Sequence, residues 1–127
     1  SSPSDRGAFL DITLDFLFYA GVPLAFAVCD PTRNALAAAI LLAAFIGTGV
    51  SFLAYAIIAE KRGEKSTAYP SKAFYYLGGL TEGSETILCF VAMCIWPQYF
   101  AWLAYGFAAL CCITIATRMY WGYKALQ

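Results

Sequence analysis

Residues 35–59 form a run of 25 amino acids without a single charged side chain. A helix rises about 1.5 Å per residue, so this run exceeds the roughly 20 residues that cross the hydrocarbon layer of a bilayer. Only 13% of the chain is charged, against about 25% in a typical soluble domain. Charges this sparse and this clustered cannot cover a water-facing surface. The 127 residues are therefore expected to form one all-α, polytopic membrane domain, a bundle of transmembrane helices.

Four helices fit the pattern, over about 7–29, 35–59, 73–96 and 101–123. The stretch DPTRN (30–34) is expected as a tight turn, with a Pro and an Asn suited to capping the next helix. Residues 60–72 form a polar, charged loop, and PQYF (97–100) turns the chain again. Arg6, Lys61, Arg62, Lys65, Lys72 and Lys124 then fall on one side, with Arg118 near it, and only Arg33 falls opposite. The side rich in basic residues is expected to be cytoplasmic. Trp96, Tyr99, Phe100 and Trp102 are expected to make an outer aromatic belt. Tyr69, Phe74, Tyr75, Tyr76, Tyr120, Trp121 and Tyr123 make the inner one. Gly47 with Ser51, and Gly79 with Gly83, are small residues four apart, a spacing that lets helix backbones approach closely within the chain or between subunits.

Several chemistries are excluded or left without support. There is no histidine, so no His base, Ser-His pair or His metal ligand. The net charge is zero and no stretch is strongly basic, which speaks against nucleic acid. Five cysteines lie in or beside apolar runs without a CxxC and are expected to be small apolar filler.

The acidic residues are the informative ones. Gly7, Asp11 and Asp15 recur every four residues, which on a helix puts them along one face, each step rising about 6 Å and turning about 40°. Carboxylates in a membrane segment are costly and mark a functional site by default. Two of them on one face repel, so something positive should compensate them. Oxygen donors of this kind suit Mg²⁺ or Mn²⁺ beside a phosphate-bearing substrate. One carboxylate can instead act as a general base towards an attacking hydroxyl. The plainer account is that both are merely solvated at the interface. Glu82 and Glu85 sit deeper, in the third expected helix, with Thr81 beside them. They should face a cavity or a partner, with Arg118 a candidate. An internal ion pair and a polar substrate pocket stand as alternatives. Lys61, Arg62 and Lys65 are accounted for by topology and anionic lipid, or by a grip on a substrate phosphate.

At GAFLDITLD the chain resembles the CDP-alcohol phosphatidyltransferase family, whose signature is D-x2-D-G-x2-A-R, eight or nine residues, then G-x3-D-x3-D. Gly7, Asp11 and Asp15 match the second half. FYYLGGLTEGSETILCF and AIIAEKRG look like the later helices of bacterial members. The first half is absent, and its spacing would place its Arg just before Ser1. The resemblance thus implies the C-terminal part of a six-helix parent, inactive on its own. It implies transfer of a phosphatidyl or similar group from a CDP-alcohol, such as CDP-diacylglycerol, to an acceptor hydroxyl with release of CMP. Asp11 and Asp15 resemble ligands of Mg²⁺ or Mn²⁺. Asp15 also resembles the general base, and Gly7 the glycine beside the nucleotide. Lys61, Arg62, Thr81, Glu82, Glu85 and Arg118 become candidates for the acceptor pocket. A homodimer in the bacterial inner membrane, with its site facing the cytoplasm, is implied as well. Two readings compete: a small transporter or channel working through Glu82 and Glu85, and a non-catalytic membrane scaffold.

Overall fold

The structure is a computed structural model, and it describes residues 3–62 and 83–127. Every regular element among them is helical. They are α1 (Pro3–Cys29), α2 (Pro31–Lys61), α3 (Ser84–Ile95), a 3-10 turn (Pro97–Tyr99) and α4 (Phe100–Ala125). Three segments, Ser4–Cys29, Pro31–Lys61 and Pro97–Ala125, are long and apolar enough to cross a membrane. The protein is a membrane helix bundle.

The link between α1 and α2 is shorter than the sequence suggests. The expected turn over 30–34 shrinks to Asp30, because Pro31 fits the first helical position, where its missing N–H costs nothing. Asp30 is the N-cap, and its carboxylate accepts a long bond from the Arg33 N–H at 3.4 Å. Asn34 does not cap the turn. It is buried one turn into α2, and its Nδ2 donates to the Phe26 carbonyl of α1 at 3.0 Å. That carbonyl also accepts the Asp30 N–H at 3.2 Å.

α2 is the central helix, packed along both α1 and α4. Its buried stripe is Asn34, Ala37, Ala38, Leu41, Ala44, Phe45, Thr48 and Gly49. Small side chains dominate it because, in lipid, close backbone approach replaces the hydrophobic effect as the reason for helices to associate. Gly47 and Ser51 do this work inside the chain: both meet α4, through Ile115 and Arg118. Aromatic rings fill the wider part of the core. Tyr19 of α1 and Phe107 of α4 flank Phe45, and Phe90 of α3 meets it edge to face at 6.2 Å.

The third helix differs from expectation within the described residues. It begins at Ser84, since Gly83 has φ 59° and ψ −119°, a conformation that ends helical continuation and that glycine alone adopts readily. Residues 73–82 of the expected helix, with Gly79 and the aromatics 74–76, lie outside the described residues. Pro97 closes α3 on the other side. Phe100 leaves the expected outer belt: it is fully buried and stacks on Phe26 at 4.5 Å, while Trp96, Tyr99 and Trp102 stay exposed. As the first residue of α4, Phe100 anchors that helix against the end of α1. Tyr120, Trp121 and Tyr123 are exposed near the far end of α4, as expected of an interfacial belt. Cys111 is core filler, Cys89 is half-buried, and Cys29, Cys94 and Cys112 are exposed; none of the five is in a disulfide.

Candidate functional site

Connectivity decides which residues share an end of the bundle. α1 runs into the Asp30 link and α2 runs back from it, so the start of α1 and the end of α2 lie together. α4 starts beside Phe26, near that link, and so finishes at the same end as α2. Gly7, Asp11, Lys61, Arg62, Arg118 and Lys124 therefore belong to one half of the molecule.

The acidic row is carried by an uninterrupted helix, α1. Gly7, Asp11 and Asp15 are all exposed. At about 100° per residue, Asp11 and Asp15 point between the directions of Phe18 and Tyr19. Those two rings pack against Phe90 of α3, at centroid distances of 5.7 and 6.3 Å. The carboxylates are thus on the α3-facing flank of α1, neighbours on one row, with Asp15 level with the first turn of α3 and Asp11 beyond its first residue. Asp11 stands about 27 Å along the helix from Cys29 and Asp15 about 21 Å, which puts the first near the membrane edge and the second just inside it. A Cβ added to Gly7 would meet nothing within 4 Å. Among the described residues, packing gives no reason for glycine there.

The two carboxylates offer hard oxygen donors side by side. Among the described residues no cluster of three His, Cys, Asp or Glu side chains forms. Magnesium is commonly held through one or two carboxylates together with water and substrate phosphate, so the pair fits as part of such a donor set and not as a complete cage.

Arg118 is 3% exposed, a cation deep in the bundle. Of its two candidate partners, Glu85 is exposed and does not pair with it, and Glu82 lies outside the described residues. Its Nη1 donates to the Thr48 carbonyl of α2 at 2.6 Å and reaches Ser51 Oγ at 3.5 Å. Its guanidinium carbon lies 5.5 Å from the centre of the Phe52 ring. Glu85 is exposed in the first turn of α3, where a carboxylate complements the positive end of the helix. It needs no buried partner there. Thr81, Glu82 and Lys65 lie outside the described residues. Lys61 and Arg62 are exposed at the end of α2, and Lys61 sits in the last turn, where the helix dipole favours a cation. The sequence reading missed Thr48: its backbone carbonyl receives Arg118, and a carbonyl leaves no trace in residue type. The Gly47 to Ser51 spacing was the available signal.

A cavity of about 300 Å³ opens at the opposite end, lined by Asp30, Arg33, Asn34 and Gln98 over Phe26 and Pro97. It is separated from the acidic row by most of the length of α1.

The fold and these residues define a class: an integral membrane helix bundle that keeps an acidic row on one helix and a buried arginine on another. In Escherichia coli (strain K12) the inner membrane protein YnjF is 56% identical over 124 residues, which are 98% of this chain and 60% of that protein. The chain thus spans about 60% of the length of the curated relative it matches. No protein-family profile matches the chain. No solved structure matches it.

Proposed function

We propose that the chain is the membrane part of a phosphotransferase that moves a phosphatidyl or similar phospho-alcohol group from a CDP-alcohol to an acceptor hydroxyl. One observation carries this: Gly7, Asp11 and Asp15 stand exposed on one flank of an unbroken helix, and packing explains none of them. In this reading Gly7 gives the nucleotide a surface without a side chain. Asp11 and Asp15 direct carboxylate oxygens at Mg²⁺ or Mn²⁺, which when bound neutralises charge on the diphosphate. Asp15 takes the proton of the acceptor hydroxyl. The acceptor oxygen bonds to the phosphorus carrying the lipid alcohol, and the bond to CMP breaks. Lys61, Arg62 and Arg118 place positive charge at the same end for an anionic acceptor. The same reading includes a fourth transmembrane helix ending in α3, a homodimer, and a bacterial inner-membrane location with this end facing the cytoplasm. The name of the relative supports the location.

The test is CMP release from CDP-diacylglycerol by the intact protein in detergent. Mg²⁺ or Mn²⁺ is supplied, with glycerol phosphate, inositol phosphate and serine as separate acceptors. Asp15→Asn and Asp11→Asn should each lower turnover at least a hundredfold without changing the unfolding temperature, in line with typical losses for an acid–base group. Full activity in both variants, or no metal-dependent CMP release with any acceptor, rejects the proposal.

A further inference from the structure

Three consecutive residues of α2 receive side chains from two other helices. A Cβ on Gly47 would collide with Cδ1 of Ile115 of α4. The Thr48 carbonyl accepts Arg118 Nη1 of α4 at 2.6 Å. A Cβ on Gly49 would come within 2.8 Å of Cε1 and 3.1 Å of Cζ of Phe16 of α1. Real Cβ atoms essentially never approach below 3.0 Å, so a larger residue at either position makes a neighbour shift: at Gly47 the terminal methyl of Ile115, which can rotate away, and at Gly49 the edge of a rigid aromatic ring. Swinging Phe16 away would break an aromatic contact. Its ring meets Tyr19 edge to face at 5.7 Å, and Tyr19 is in turn held by Phe45 at 6.1 Å and Phe90 at 6.3 Å.

The seats have consequences for the polar groups. Phe16 directly follows Asp15, so its seat on Gly49 fixes the rotation of α1 at that point and with it the direction of the carboxylate row. Ile115 and Arg118 are three apart, hence on one face of α4. Their seats fix that helix at the same level of α2. Thr48 Oγ1 is turned back to the Phe45 carbonyl at 3.0 Å, and the Thr48 carbonyl accepts Ser51 Oγ at 3.0 Å as well as Arg118, so one backbone oxygen joins both side chains.

We propose that Gly47-Thr48-Gly49 is a positioning element that holds the Gly7, Asp11, Asp15 row of α1 and Arg118 of α4 in one register on α2. The geometric claim stands alone; its effect on turnover rests on the phosphotransferase reading.

The experiment uses the intact protein with its native cysteines replaced and spin labels on Ile12→Cys of α1 and Met119→Cys of α4, both exposed sites. Gly49→Leu should move the mean label distance by roughly 2 Å, because helix separation follows the side chains at the contact. Adding Phe16→Ala, which vacates the ring's space, should bring it back. Gly49→Ala should give a smaller shift of the same sign and serves if the leucine variant does not fold. Where the parent releases CMP, turnover should fall several-fold in Gly49→Ala, with the acceptor KM unchanged, and recover with Phe16→Ala. An unmoved distance, a shift that Phe16→Ala does not relieve, or a shifted distance with unaltered turnover overturns the inference. A parent without metal-dependent CMP release, in which the distance still moves and recovers, rejects the phosphotransferase reading and upholds the positioning element.

Discussion

α1 and α2 are joined through one residue, and both are long and apolar enough to cross a membrane, yet the bundle treats them differently. In their most apolar stretches 6% of α1 is buried and 39% of α2. Apolarity therefore separates neither helix from the other. Side-chain size does: the inner face of α2 is rich in small residues, Ala37, Ala38, Ala44, Thr48 and Gly49, that let two helices close on it, whereas α1 carries Phe9, Leu10, Leu14, Leu17 and Leu24 outward. The carboxylates follow the same division. They are found on the helix that the bundle leaves open, where an acid has room for a counter-ion, and not on the one it encloses.

That contrast is open to measurement. Leu41 of α2 is fully buried and Leu17 of α1 is 62% exposed. Leu41→Ala should cost about 2–5 kcal/mol in detergent unfolding, through lost contacts and a cavity, and Leu17→Ala no more than about 0.5 kcal/mol. Similar losses at both positions would break the comparison. Asn34→Leu removes the side-chain bond that ties α2 to the Phe26 carbonyl, and unfolding should register a loss of about 1 kcal/mol. An unaffected protein would show that the packing of Phe26 on Phe100 alone holds that end. Gly7→Ala is expected not to destabilise at all, being neutral or stabilising by up to about 1 kcal/mol, since alanine is the better helix former and meets nothing. If the nucleotide approaches that backbone, the same variant should raise the KM for the CDP-alcohol several-fold in the CMP-release assay. An unchanged KM would remove Gly7 from the site.

How much was legible depended on the physics behind each feature. The long apolar runs located α1, α2 and α4 to within a few residues, because lipid tolerates little else. The start of α2 was misplaced since Asp-Pro serves both as turn and as cap with first helical residue, and composition does not distinguish the two. Gly83 looked like a small residue for helix contact and turned out to begin α3 through its positive φ. The row of Gly7, Asp11 and Asp15 was legible from spacing alone, because a single helix carries it. Arg118 stood out by type as a candidate partner for Glu82 or Glu85, but its bond to the Thr48 carbonyl could not be read from residue types. Aromatic seats such as Phe16 on Gly49 depend on how two helices cross, which one-dimensional periodicity does not encode.

The single-residue link at Asp30 bears on biogenesis. With Cys29 closing one helix and Pro31 opening the next, the two spans form a helical hairpin with no slack at its corner. Such a hairpin is expected to enter the bilayer as a unit with Arg33 near its tip, and a flexible spacer placed at this corner should let one span insert without the other.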